Sequence, residues 1–183
     1  MIKHIVFISL SLATCVVYGA EGVKWPEPVA PAIPQADGYV IIPGAAVPPS
    51  DKSVYKTIFD STQSARNPDH LIPALNMAGS ELNALVAAGL PVTNARFVVV
   101  FHGPSVNGIL QNDAYRAKFG VDNPNLPVLR KLKELGVELF VCGQFLAAEG
   151  TDPETLSPDV AVASDALIVL MTYQNQGYAL LNF

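Results

Sequence analysis

The sequence FVVVFHG at residues 97–103 and the sequence VELFVCGQ at residues 137–144 decide the fold of this chain. The first begins with a continuous apolar run, which is typical of a strand buried on both faces of a parallel sheet. Residues 123–136, between the two, start with Asn-Pro, carry leucines at helical spacing and end at a glycine, as a helix does. A strand, a helix and a second strand in this order predict two parallel strands joined by a right-handed crossover.

The rest of the chain, worked outward from this unit, shows the same alternation of strands and helices. Residues 145–160 are rich in acids and prolines, and we predict a loop there. The pattern as a whole predicts an α/β fold over residues 53–183: a three-layer α/β/α domain with a mainly parallel sheet of about five strands. The remaining predicted elements are strands at residues 54–59 and 178–183, helices at residues 71–88 and 106–119, and a last helix capped by Ser164 that ends near Gln174.

The first twenty residues predict a secretory signal peptide. Lys3 precedes an apolar run at residues 5–17, and small residues follow at positions 19 and 20. We therefore expect a periplasmic or secreted protein with no stable membrane span once residues 1–20 are removed. A retained anchor is the weaker interpretation because the apolar run is short for a bilayer, and lipidation of Cys15 is a minor alternative.

Residues 21–52 are rich in proline and alanine, and we predict an extended arm with a short strand at residues 39–42. The apolar content of this arm favours packing on a protein surface, which includes the surface of a neighbouring subunit. The alternative is a loose linker.

Composition excludes several classes of function. Of 183 residues only 15% are charged, the net charge is −5, and there is no basic run, so we expect no nucleic acid partner. The chain has three histidines and two cysteines, with neither a CxxC nor an HExxH motif. We therefore expect no metal, and without a glycine-rich phosphate loop we expect no cofactor.

The candidate site lies where two predicted strands end. His102 and Gly103 follow one strand, and Cys142, Gly143 and Gln144 end or follow the next. Ligands of open parallel sheets bind at this carboxyl edge. Cys142 is the only cysteine outside the predicted signal segment; its thiolate would be the reactive form, with Gly143 N–H as a donor to it and His102 as a proton shuttle. The alternatives are a buried, inert cysteine and a histidine that bonds to loop backbone.

Three segments resemble the DsrE/DsrF-like (YchN-like) family, specifically its exported branch. They are VVVFHGPSV at residues 98–106, DNPNLPVLRKLKELGVELFVCGQ at residues 122–144 and QNQGYALLNF at residues 174–183. The resemblance covers about residues 54–183 and implies homo-oligomers, often trimers or hexamers. It also implies that Cys142 corresponds to the sulfur-accepting cysteine of that family, while His102 and Asn125 match motif positions.

Three hypotheses for function follow. The first is a sulfur carrier or sulfurtransferase that holds a persulfide on Cys142 and exchanges sulfur with a donor or acceptor protein or a small sulfur compound. The second is a noncatalytic module that binds a small ligand at a rim formed by His102, Gly103, Asn125 and Gly143. In the third, the arm and the apolar helices chiefly build an oligomer.

Overall fold

The computed structural model describes residues 24–183, so the predicted signal segment at residues 1–20 lies outside the described part of the chain. No helix within residues 24–183 combines the length and the apolar composition needed to cross a bilayer. The strands are β1 (Tyr55–Ser61), β2 (Ala95–Phe101), β3 (Glu138–Cys142), β4 (Ala161–Ala163) and β5 (Ala179–Asn182). The α-helices are α1 (Pro73–Ala87), α2 (Asn112–Phe119), α3 (Leu126–Glu134), α4 (Gly143–Glu149) and α5 (Ala166–Gln174).

The five strands form one sheet in the order β4-β3-β2-β1-β5, and every pair is parallel. Helices α1 and α3 pack on one face of the sheet and α5 packs on the other. The predicted three-layer α/β/α fold with a mainly parallel sheet of five strands is therefore confirmed. β5 enters beside β1, on the opposite side from β2, so the strand order reverses direction at β1.

Strand β2 shows why the apolar run at residues 97–101 predicted the fold correctly. Phe97, Val99 and Phe101 pack into the large hydrophobic cluster beneath α1 and α3. Val98 and Val100 point the other way, into the smaller cluster beneath α5. All five side chains are buried, so this strand has no solvent-facing side, as expected of a central parallel strand.

The predicted loop at residues 145–160 is wrong in its first part, and the short strand β4 that follows it was not predicted. Helix α4 begins at Gly143, directly after β3, and only a short 3₁₀ turn at Pro153–Thr155 interrupts the segment that follows. β4 then pairs with β3 over three residues. A strand of three residues is too short to show an alternating pattern, which is why the sequence did not reveal it.

The predicted helix at residues 106–119 is divided in two. A 3₁₀ helix at Gly103–Ile109 is followed by α2, and Leu110 between them forms an antiparallel bridge with Leu156. A residue paired in this way cannot remain inside an α-helix, so the tertiary contact overrides the local preference.

The predicted start of α3 at Asn123-Pro124 is also wrong. The helix begins at Leu126, and no side chain caps it. The buried Asn123 amide instead donates to the carbonyl oxygens of Gly108 and Leu110, at 3.0 and 2.6 Å. The Oδ1 of Asn123 accepts from the backbone N–H and the side-chain amide of Asn125, at 2.9 and 2.8 Å, so this side chain closes a turn before the first helical residue.

The proline-rich arm packs on α1 of the same chain. Ile33 is fully buried against that helix. The side-chain oxygen of Asn83 accepts from the N–H groups of Ala32 and Ile33, at 2.9 and 2.8 Å. Residues 39–42 do not form the predicted strand, because Tyr39 makes only a single bridge, with Val29.

Candidate functional site

The register of the sheet places His102 beside Cys142. Phe101 of β2 is opposite Val141 of β3, so the next residues along each strand are also opposite each other. His102 keeps an extended backbone, with φ −155° and ψ 167°, and the alternation of the strand therefore continues through it. Both side chains lie on the α5 face of the sheet, at its carboxyl edge. The structure thus brings the two predicted residues together.

His102 is held by a carboxylate that the sequence reasoning missed. Its Nε2 lies 2.7 Å from Oδ1 of Asp60, and Nδ2 of Asn182 donates to the other oxygen of that carboxylate at 2.8 Å. Asp60 of β1 and Asn182 of β5 are direct partners in the register. One signal was available: a carboxylate directly after the apolar residues of a predicted buried strand calls for a polar partner.

Cys142 is the N-cap of α4 and is 6% exposed. Its Sγ accepts a hydrogen bond from the backbone N–H of Phe145 at 3.4 Å. The side chain otherwise packs with apolar neighbours of the cluster beneath α5, which are Ile58, Val98, Val100, Ala166, Val169 and Leu170. Within residues 24–183 no hydrogen bond joins Sγ to His102. Within the described residues the N–H of Phe145 is therefore the hydrogen-bond partner of the sulfur, and the residue is nearly enclosed.

Two predicted glycines have conformational reasons to be glycine. A Cβ at Gly143 would come within 2.7 Å of the carbonyl oxygen of Ala163, so the close approach at this position is made by β4. Gly103 has a φ of +59°, a left-handed conformation that turns the chain immediately after His102. Gln144 is exposed in the first turn of α4, where it is free to meet a ligand.

A crevice of about 470 Å³ opens beside this edge, between the 3₁₀ helix at 103–109 and α4. Phe145, whose N–H bonds to Cys142, forms part of its wall, as does Gly103. Its charged groups are Lys118, whose ammonium donates to Oδ1 of Asn107 at 2.7 Å, and Glu149. Cys142 itself does not line the crevice. Nowhere in residues 24–183 do three or more His, Cys, Asp or Glu side chains gather as metal ligands.

Asn125 lies on the other face of the sheet and is fully buried. Its Oδ1 accepts from the N–H of Ile72 at 2.9 Å, and its amide donates to Asn123 at 2.8 Å. These bonds join the start of α1 to the start of α3. Asn125 is therefore separated by the sheet from His102 and Cys142 and does not join them.

Comparison with known proteins gives a family and a fold. The model of the DsrE/DsrF-like family matches residues 54–183. A protein of unknown function from Methanobacterium thermoautotrophicum, MTH1491, is 21% identical with a TM-score of 0.53, and the alignment covers 70% of this chain and 99% of that one. The ychN protein from E. coli is 16% identical with a TM-score of 0.50 and the same coverage. No curated protein matches. At these identities the structural likeness concerns the fold alone.

Proposed function

Because this chain belongs to the DsrE/DsrF-like family, we propose that it is a sulfur carrier that holds a persulfide on Cys142. The family is of the sulfur-relay type. The observation that carries the proposal is the place of Cys142, at the carboxyl edge of a parallel sheet, with a backbone N–H on its sulfur and His102 beside it. With the predicted signal peptide, the protein would work in the periplasm or outside the cell.

In the proposed reaction a sulfur atom passes from a donor to the Cys142 thiolate and then to an acceptor thiolate. The Cys142 thiolate attacks the outer sulfur of a donor such as thiosulfate, a new S–S bond forms, and sulfite leaves with the electron pair of the bond that breaks. An acceptor thiolate then attacks the terminal sulfur of the persulfide and releases the Cys142 thiolate. The N–H of Phe145 supports the anionic sulfur in both steps. Because Cys142 is only 6% exposed, a small sulfur compound would reach its sulfur more easily than a protein side chain.

Intact mass after exposure to thiosulfate or polysulfide tests the proposal. The wild type should gain the mass of one sulfur atom, and a reductant should remove it. Cys142→Ser should gain none, whereas Cys15→Ser, which removes the other cysteine, should load as the wild type does. A wild type that gains no sulfur, or a Cys142→Ser variant that gains it equally, would show that Cys142 carries no sulfur.

The crevice beside α4 favours a second candidate function, the noncatalytic binding of a small ligand. Lys118 and Glu149 give its wall charges of both signs, and Cys142 is outside it. In that case Cys142 only packs against the sheet. Alkylation of the native protein separates the two functions: rapid labelling near neutral pH supports the carrier, and protection until unfolding supports the binding module.

We also propose that the protein is a homo-oligomer, a trimer or a hexamer. The outer side of α5 exposes Leu167, Ile168 and Met171, each more than half accessible. An apolar helix side of this kind is unusual on a monomer and is typical of a protein interface. A second copy of the chain over α5 would cover these side chains.

A further inference from the structure

The contacts of Asp60 determine which nitrogen of His102 carries a proton. An ionised carboxylate only accepts hydrogen bonds. Asn182 donates to one oxygen of Asp60, and Nε2 of His102 faces the other at 2.7 Å, so Nε2 is the protonated nitrogen. In the neutral ring Nδ1 then holds the lone pair. No hydrogen bond to Nδ1 occurs within residues 24–183.

The accessibility of the pair differs between its two members. The side chain of Asp60 is 11% exposed, whereas that of His102 is 27% exposed. The carboxylate is thus shielded and fixed while the ring remains reachable. The imidazole of His102 is not needed to hold β1 and β5 together. Backbone hydrogen bonds and the Asp60–Asn182 contact already join these two strands.

We propose that Nδ1 of His102 takes the proton of the Cys142 thiol, and that Asp60 and Asn182 are positioning residues that hold His102 in the tautomer this requires. The step rests on the proposed function for its substrate, the thiol. The S–H bond breaks, the proton goes to Nδ1, and the electron pair stays on Sγ. Asp60 stabilises the imidazolium that forms. Adjacent strands are about 4.8 Å apart, so His102 and Cys142 are neighbours on one face of the sheet. The transfer requires the thiol, whose sulfur accepts from the N–H of Phe145, to turn toward Nδ1.

Asp60→Asn tests the tautomer with little change of shape. Asn182 donates toward position 60, so the new amide must turn its oxygen to Asn182 and its NH₂ group to His102. Nε2 must then accept, and the proton moves to Nδ1, which can no longer act as a base. In the double variant Asp60→Asn with Asn182→Asp, the carboxylate at 182 accepts the NH₂ group, the amide oxygen turns back to Nε2, and the original tautomer returns.

The readout is the rate of iodoacetamide labelling of Cys142 in the folded protein against pH, in a Cys15→Ser background. At neutral pH, Asp60→Asn should lower the rate about tenfold or more, the scale of a lost general base, and His102→Gln should lower it equally. The double variant should recover most of the rate. Nitrogen-15 NMR should show Nε2–H in the wild type and the double variant, and Nδ1–H in Asp60→Asn.

Three results would overturn the proposal: an Asp60→Asn variant labelled at the wild-type rate, a wild type with its proton on Nδ1, or a wild-type thiol that reacts only after unfolding. The experiments distinguish failure of this proton transfer from failure of the proposed sulfur-carrier function. If the variants behave as described but thiosulfate adds no sulfur, the proton path stands and the carrier fails. If sulfur is taken up equally by wild type and Asp60→Asn, the carrier stands and the proton path fails.

Discussion

The two faces of the sheet are built differently. On one face α1 and α3 cover a continuous cluster that includes Phe59, Leu75 and Leu132, all without solvent exposure. On the other face α5 alone covers a small cluster, and its own outer side is apolar and exposed. The side chains of the candidate site all lie at the carboxyl edge of this thinner face; they are Asp60, His102 and Cys142. The face with the larger buried cluster is therefore not the face that carries the candidate site.

The largest expected effect tests this difference with matched truncations. Leu132→Ala on the inner side of α3 should lower the free energy of unfolding by about 2–5 kcal/mol, because a fully enclosed site keeps the cavity. Leu170→Ala on the inner side of α5 should cost less, since that site is near the surface and can collapse. Urea unfolding of the two variants measures both losses. Equal losses would mean that the two faces are equally well packed.

Gly143→Ala should have the next largest effect, on the thin face. Its Cβ would meet the carbonyl oxygen of Ala163 at 2.7 Å, and one of the two backbones must shift. The expected loss is about 1–3 kcal/mol, as for other overpacked sites. Gly120→Ala is a control of a different kind: no atom lies near its Cβ, but its φ of +76° is strained for alanine. A fully stable Gly143→Ala variant would place β4 further from α4.

A smaller effect on stability, but a large one on assembly, is expected on the outer side of α5. Leu167→Glu should change the free energy of unfolding by only about 0.5 kcal/mol, as at other surface positions. It should nevertheless dissociate the proposed oligomer, because a charge would be buried in the interface. Light scattering after size exclusion gives the mass. Val47→Glu, at a more exposed position on the arm, should leave the assembly intact. Dissociation by both variants would point away from α5.

The smallest effect concerns a single carboxyl group on α1. Partial burial raises the pKa of Glu81 above its usual value. Its ionised form is therefore disfavoured in the folded protein, and this cost is absent at low pH, where the group is neutral in both states. Glu81→Gln should raise the melting temperature slightly near pH 7 and leave it unchanged near pH 4. Glu154→Gln, on the surface, should show no such pH dependence.

The parts of the fold that the sequence predicted are those with a strong local pattern. The central strand, predicted at residues 97–101, and the helix, predicted at residues 71–88, agree with the structure to within two residues at each end. β4 was missed because three residues show no pattern. The predicted start of α3 was two residues early, because Asn123 closes a turn with Asn125 and donates to a buried loop.

The sequence predicted only those site residues that lie at the ends of strands consecutive in the chain. His102 follows β2 and Cys142 ends β3, and consecutive strands usually lie side by side. Asp60 and Asn182 meet because β5 pairs with β1, on the far side from β4. No local pattern distinguishes that order from one in which β5 pairs with β4. Asn125 matched a motif position, yet its burial depends on the loop that carries Ile72.

The pairing of β5 with β1 has a consequence for the growing polypeptide. The Asp60–Asn182 bond joins positions 122 apart in the sequence, so this corner of the edge cannot exist until nearly all of the chain printed here has left the ribosome. The β1–β2–β3 unit with α1 and α3 is complete long before that point. A nascent chain should therefore gain much of its resistance to proteases early, and acquire the orientation of its histidine only after residue 182 has emerged.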